Sequence, residues 1–181
     1  MRILAGKLKG RKLANCKTKF IRPAMALVRK SIFDTLQNFV DEANVLDLCA
    51  GTGVLGIEAY SRGAKKITFV DSDKNSIRLI KKNLLLCNID GKVISGMLPQ
   101  ILKRSFLKNE RFDLVFLDPP YGNCTFIEDV LEILLSKSLL SKNGLISIET
   151  ETKSNFVIPN GLQLYKEKKY GNTKVTMLKS L

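Results

Sequence analysis

The sequence predicts an α/β fold in which a mainly parallel sheet carries helices on both faces and becomes mixed at one edge. Three observations predict it. Short apolar segments alternate with helix-forming segments from residue 45 onward, as in strands joined by crossover helices. A glycine-rich turn, Gly51-Thr52-Gly53-Val54-Leu55-Gly56, follows the first of those strands. Near the end, two strand-like runs flank Gly171-Asn172, a tight hairpin signal that adds antiparallel pairing at one edge.

The elements follow in chain order. Residues 1 to 20 read as two short strands around Gly6 to Gly10. Arg22-Pro23 opens a helix, with proline near its first position, that runs to about Phe39. Val45 to Leu48 is a short buried strand, and a helix from Val54 to Ser61 follows the glycine turn. Gly63 ends that helix. Ile67 to Val70 is the next strand, and Asp73 caps a helix from Lys74 to about Leu86. Val93-Ile94 forms a strand and Ile101 to Leu107 a helix. Phe112 to Leu117 is a continuous apolar strand that ends in Asp118-Pro119-Pro120-Tyr121. A helix over Phe126 to Leu135, a strand over Leu145 to Ile148, and a hairpin of Leu162 to Tyr170 with Thr173 to Leu178 complete the chain.

With 181 residues the chain suits one compact domain over 1–181. Residues 1–40 form a basic N-terminal hairpin and helix, and 41–181 a core holding the binding and catalytic motifs. No apolar run reaches the roughly 18 residues that a membrane span needs. The basic N-terminus lacks the apolar centre of a secretory signal. Cys16, Cys49, Cys87 and Cys124 form no C-x-x-C pair and read as reduced thiols of a cytoplasmic protein. There is no histidine, which excludes histidine triads, histidine general bases and histidine metal ligands. No metal is expected.

The formal net charge is +13 and is unevenly placed. Residues 1–30 carry Arg2, Lys7, Lys9, Arg11, Lys12, Lys17, Lys19, Arg22, Arg29 and Lys30, and no acid precedes Asp34. A local, acid-free run of this kind is the footprint of a polyanion partner rather than a general solubilising surface. Arg2, Lys7, Lys9, Arg11, Lys12, Arg22 and Arg29 are the candidate nucleic-acid contacts.

Gly51, Gly53 and Gly56 satisfy G-x-G-x-x-G between a strand and a helix. Such glycines allow a tight turn and close approach of backbone to a ligand. Asp71 ends the next strand, 18 residues after Gly53, where a carboxylate can accept hydrogen bonds from two ribose hydroxyls. The pattern alone fits either a dinucleotide or S-adenosylmethionine. Charge separates them. A dinucleotide puts a pyrophosphate over the turn, and Asp47 would oppose it. S-adenosylmethionine carries an ammonium and a sulfonium, which Asp47 attracts directly or through water. Otherwise Asp47 is a carboxylate bonded to turn N–H groups. The candidate cofactor residues are Asp47, Cys49, Ala50, Gly51, Thr52, Gly53 and Asp71.

Asp118-Pro119-Pro120-Tyr121 ends the fourth strand of the core. In open α/β sheets ligands sit beyond the carboxyl ends of strands, where the strand order switches. The first and fourth strands flank that switch, so the two motifs meet across one crevice. An amine on an aromatic ring is a poor nucleophile because its lone pair is delocalised. A carboxylate from Asp118 and a carbonyl from Pro119 can accept its two N–H groups and turn the lone pair toward a methyl group. Pro119 and Pro120 stiffen the loop, and Tyr121 offers a ring on which an extruded base can stack. These four residues are the candidate catalytic set. Nothing in the sequence activates the Cys124 thiol as a nucleophile.

On these motifs the sequence resembles the 16S rRNA guanine-N2 methyltransferases of the RsmD type over essentially its whole length. The carrying residues are Arg2-Ile3-Leu4-Ala5-Gly6-Lys7, Gly10-Arg11-Lys12-Leu13, Arg22-Pro23, Arg29, Phe33, the loop from Val45 to Gly53 and Asp118 to Tyr121. The opening segment is the specific one; the other motifs are common to many methyltransferases. The resemblance implies a Rossmann-like class I fold with a seven-stranded mixed sheet and S-adenosyl-L-methionine as cofactor. It further implies methylation of N2 of guanine 966 (rRNA numbering), with 16S rRNA presented in 30S subunits or assembly intermediates. A monomer is expected. Two places depart from the family pattern. Ala24-Met25-Ala26 stands where Thr-Thr-Asp is usual, with Lys30 for a usual Glu. Met97 stands where an Asp near the adenine is usual, so Met97 and Leu98 are taken as the adenine contacts.

The nearest rival is a DNA adenine-N6 methyltransferase, which shares D-P-P-Y but usually needs a recognition region longer than the 40 or so residues before the glycine loop. A protein-glutamine methyltransferase usually begins its tetrapeptide with Asn. Asp47 opposes a NAD-dependent oxidoreductase, and the intact Asp118 and glycine loop oppose a non-catalytic RNA-binding factor.

Overall fold

The computed structural model describes residues 1–15, 23–104, 110–119 and 123–181. Its strands are β1 (Asn44–Leu48), β2 (Lys66–Asp71), β3 (Lys92–Ser95), β4 (Phe112–Leu117), β5 (Leu140–Glu151), β6 (Leu162–Tyr170) and β7 (Thr173–Ser180). They form one sheet in the order β3-β2-β1-β4-β5-β7-β6. β1 pairs in parallel with β2 on one side and β4 on the other, so the chain changes direction across the sheet between β1 and β4. β7 lies antiparallel between β5 and β6. The sheet is therefore mixed at the edge where the hairpin signal placed the change.

The helices are α1 (Pro23–Leu36), α2 (Val54–Ser61), α3 (Lys74–Cys87) and α4 (Cys124–Ser136). One face of the sheet packs Leu114, Phe116 and Leu145 against Ile32 and Phe33 of α1, Ile57 of α2 and Ile80 of α3. The opposite face packs Leu46, Leu48, Val115 and Ile146 against Val130, Leu131 and Leu134 of α4. Buried on both faces, β1 and β4 read as continuous apolar runs rather than alternating ones. Removing that surface from water, at roughly 25 cal/mol per Å², holds the helices against the strands whose ends build the site.

Several boundaries differ from those the sequence predicts. Of the two strands expected over residues 1 to 20, the described residues show a hairpin with one antiparallel bridge, Arg2 to Lys12, and residues 16–20 lie outside the described residues. The hairpin's Leu4 and Ala5 N–H groups bond to the Glu58 carboxylate of α2 at 2.8 and 3.0 Å, so they are unavailable for a ladder. The helix expected over 101–107 is a short 3₁₀ turn, Gln100–Lys103, which ends where Arg104 becomes extended; residues 105–107 lie outside the described residues. β5 begins at Leu140, five residues before Leu145. Its first turn of chain is the polar Ser141-Lys142-Asn143-Gly144, joined past an irregularity in the pairing with β4.

Candidate active site

The site stands on the carboxyl ends of β1, β2, β4 and β5. After β1, Gly51 and Gly53 take positive φ values of 56° and 73°, and the Gly53 N–H closes the turn on the Ala50 carbonyl at 2.7 Å. α2 then starts directly on the sheet. A Cβ on Gly56 would lie 2.4 Å from Phe69 Cε1, so only glycine lets helix and strand approach this closely. The Asn83 side chain of α3, fully buried, donates to the Thr52 carbonyl at 2.9 Å and fixes the far side of the turn.

Asp71 ends β2 with both carboxylate oxygens engaged. Oδ2 accepts from the Gly51 N–H at 2.8 Å and Oδ1 from the Asp73 N–H at 2.9 Å. Each oxygen keeps a further lone pair, so hydroxyl donors can still bind. Asp73 caps α3, accepting from the Ser76 N–H at 2.8 Å; that exposed carboxyl is held below its ordinary range mainly by this bond.

Asp47 is 1% exposed, and its Oδ2 accepts from the Gly56 N–H at 2.9 Å. It therefore braces the turn from below. Burial pushes its carboxyl up to about 8, opposed by the Gly56 bond and reinforced by the charges of Asp118 and Asp71. The Cys49 thiol is pushed up to about 12, first by burial and then by Asp71, Asp118 and Asp47. It stays protonated and is no nucleophile.

Asp118 stands past the end of β4, where its N–H reaches the Leu48 carbonyl at 3.4 Å and ties that end to β1. Pro119 behind it is buried. Pro120 and Tyr121 lie outside the described residues. One further acid was not singled out in the sequence. Glu149 of β5 is half-buried, and its carboxyl is pushed up to about 7 by burial and then by the Asp118 charge.

Asp47, Asp71, Asp118 and Glu149 thus gather at one crest of a chain whose net charge is +13. Carboxylates held together in this way favour an incoming cation and oppose an anion. Hydroxyl acceptors at Asp71, a cation-favouring crest and a glycine turn that admits close approach together fit a ribose-bearing sulfonium ligand.

A protein-family profile described as "Conserved hypothetical protein 95" matches residues 1–179. Ribosomal RNA small subunit methyltransferase D of Haemophilus influenzae is 37% identical over 174 residues, covering 94% of this chain and 89% of that protein. The protein of the same name from Buchnera aphidicola (Acyrthosiphon pisum) is 34% identical over 167 residues, with 92% and 86% covered. The chain belongs to this methyltransferase family. A solved Escherichia coli structure with a provisional methyltransferase name superposes with a TM-score of 0.89 at 28% identity, covering 99% of this chain and 97% of that one. The resemblance read from the opening arm, the glycine loop and the D-P-P-Y motif is borne out, as is the seven-stranded class I methyltransferase fold.

Within this methyltransferase the remaining candidate residues divide. Met97 is 70% exposed beyond β3, whereas the Leu98 side chain is buried in the core with Ile101 and Leu102. Of that pair only Met97 presents its side chain at the surface. Ala50 N–H donates to the Val70 carbonyl at 3.2 Å and anchors the turn to β2. Arg2, Lys7, Lys9, Arg11 and Lys12 are exposed, and Lys7 Nζ sits 3.6 Å from the centroid of the Tyr60 ring.

Arg29 differs from that outward-facing set. It is 6% exposed, its Nη2 donates to the Arg2 carbonyl at 2.8 Å, and its Nε lies 3.6 Å from Glu58. Glu58, itself fully buried, also pairs with Arg62 at 2.9 Å. A buried acid needs such partners, so Arg29 fastens the arm to α2 instead of facing a polyanion. Arg22 lies outside the described residues. Among the described residues no group of three or more His, Cys, Asp or Glu could hold a metal ion, and no helix is long and apolar enough to cross a membrane.

Proposed function

We propose that this methyltransferase uses S-adenosyl-L-methionine to methylate the exocyclic N2 of a guanine in 16S ribosomal RNA, guanine 966 in rRNA numbering. The donor, when bound, supplies an electrophilic methyl group on a sulfonium. The substrate is the RNA within 30S subunits or assembly intermediates in the cytoplasm, and the enzyme acts as a monomer. One observation carries the reading: Asp118 and the glycine turn share one crest, tied together by the bond from Asp118 N–H to the Leu48 carbonyl.

Each residue then has a task. Asp71 accepts from the donor ribose hydroxyls. Asp47 supports the turn and supplies negative charge near the donor's cationic groups. Asp118 accepts an amine N–H and turns the nitrogen lone pair toward the methyl group, and the Pro119 carbonyl accepts the second N–H. Pro120 holds that geometry, and Tyr121 stacks on the extruded base. Cys49, Ala50, Gly51, Thr52 and Gly53 form the donor's backbone cradle, and Met97 covers the adenine. Arg2, Lys7, Lys9, Arg11 and Lys12 bind phosphates of the RNA.

The experiment is tritium methyl transfer to undermethylated 30S subunits, to free 16S rRNA and to duplex DNA, followed by nucleoside analysis. Labelled N2-methylguanosine from 30S subunits is expected. Label in N6-methyladenine of DNA, or in no base, would overturn the proposal.

A further inference from the structure

The edge strand β6 is rich in lysine, and its charges sort by face. Lys166, Lys168 and Tyr170 alternate and so share one face of the strand. Opposite Lys166 and Lys168, β7 places Met177 and Val175, which belong to the core packed against α1. Glu167 points the other way. It accepts from Thr176 Oγ1 at 3.2 Å and pairs with the Lys174 ammonium at 3.6 Å. The acid of β6 is thus withdrawn from the face that carries Lys166 and Lys168.

α1 meets this face. Its Ser31 and Thr35 line a small open pocket together with Lys166, Lys168 and Tyr170. The Ser31 and Tyr170 hydroxyls bond to one another, and Ser31 also accepts from the Lys168 ammonium at 3.3 Å. One hydrogen serves the two hydroxyls, so the other remains to be donated, and both ammonium groups keep further N–H donors. On α1 the neighbouring Asp34 is held by Lys30 at 2.7 Å. Among the described residues neither Lys166 nor Lys168 has an acidic partner. Donors converge here without a carboxylate among them, which suits an anion. A lysine-rich edge also deters strand addition, but that role requires neither the hydroxyls nor a helix facing the lysines.

The sheet sets this face beside the crest. β6 and β5 both run antiparallel to β7, so β6 points with β5 toward the crest. Lys168, Val175 and Glu149 form one row across the sheet. Lys168 lies three strands from β4, roughly 14 Å at about 4.8 Å per strand. α1 joins the two basic regions: its Arg29 holds the arm by the Arg2 carbonyl, and its Ser31 meets β6. We propose that the face between α1 and β6, with Lys166 and Lys168 at its rim, is a second RNA-backbone contact that grips phosphates flanking the methylated base. The inference rests on the RNA-substrate reading given above. A strand whose base enters the crest then meets cations on both sides of α1, those of the arm and those of β6.

Equilibrium binding to undermethylated 30S subunits over a range of salt concentrations tests this. Replacing Lys166 and Lys168 together by Ala should weaken binding and reduce the log–log slope by about 0.7–0.9 for each lost contact. The subunit concentration for half-maximal methyl transfer should rise, with S-adenosylhomocysteine affinity by calorimetry unchanged. Replacing both by Arg should restore the slope. Lys137 and Lys142 are exposed near the opposite, amino end of β5, and replacing that pair by Ala removes the same charge but should leave the slope as it is. A wild-type slope after Lys166→Ala with Lys168→Ala would overturn the inference. An equal reduction in the Lys137 and Lys142 pair would overturn it too, because the effect would then belong to the field of the whole protein. Failure of the underlying reading is seen separately, as a wild type that transfers no methyl group to 16S rRNA.

Discussion

The crest and the arm of this methyltransferase carry opposite charge within one domain. The crest holds Asp47, Asp71, Asp118 and Glu149 at four strand ends. The arm exposes Arg2, Lys7, Lys9, Arg11 and Lys12 within its first dozen residues. The difference teaches that net charge describes only the partner met at the surface. In the proposed function a polyanion meets the arm, where exposed cations keep their hydration and act at a distance. In the same proposed function a cationic donor meets the crest, where burial holds carboxyls such as Asp47 ready to ionise beside a cation. The two regions are nonetheless one structure. α2 begins on the glycine turn and carries Glu58 and Ser61, which bond to the arm backbone at Leu4, Ala5 and Leu8. Asn83 joins the Ala14 backbone to the Thr52 carbonyl.

The comparison can be broken most severely at the crest. Asp118→Ala removes the proposed acceptor for the amine N–H and should lower single-turnover methyl transfer by about 10²–10⁴, with donor affinity little changed; a retained rate would remove Asp118 from the chemistry. Asp71→Ala removes the proposed ribose acceptor together with the anchor of the Gly51 N–H. It should weaken S-adenosylhomocysteine binding by about 10–100-fold, on the order of 1.5–3 kcal/mol, as read by calorimetry. A substantial loss in maximal rate at saturating donor would instead place Asp71 at the methyl acceptor.

The arm should respond differently. Replacing Lys7, Lys9, Arg11 and Lys12 by Ala should leave donor affinity alone and flatten the salt dependence of RNA binding. Each lost phosphate contact to single-stranded RNA lowers the log–log slope by about 0.7. An unchanged slope would mean that these cations are merely solvated.

The smallest effect concerns Asp47. With its carboxyl pushed up to about 8 by burial, the folded, empty protein holds a proton there that the unfolded chain has lost above about pH 4. Stability from this group therefore falls as pH rises from about 4 to 8. A cationic donor favours the charged form, so donor binding at pH 7 should release a proton. Calorimetry in buffers of different ionisation enthalpy reads this directly, and Asp47→Asn should abolish it. Proton release unaltered by that substitution would assign it to another group.

Much of the site was legible because local signals agreed. Gly53 and Gly63 bracket α2, which spans Val54–Ser61 as the sequence predicts. Asp73 caps α3 as its position suggested. Asp71 and Asp118 sit at strand ends that apolar runs already delimit. What was not legible depends on distant pairing. Glu149 matters only through the register of β5 on β4, and nothing within its own stretch of β5 reveals Asp118 beside it. Arg29 lies in a basic run and looks like its neighbours, but the buried Glu58 draws it inward. The arm reads as two strands because its turn glycines suggest a ladder, while its Leu4, Ala5 and Leu8 amides are taken by Glu58 and Ser61 of α2.

The most direct measurement of the central claim is a crystal structure with S-adenosylhomocysteine bound. The ribose hydroxyls should lie on Asp71 and the sulfur should face Asp118, with room for a methyl group and an amine nitrogen between them. A sulfur remote from Asp118, or a ribose held elsewhere than Asp71, would contradict it.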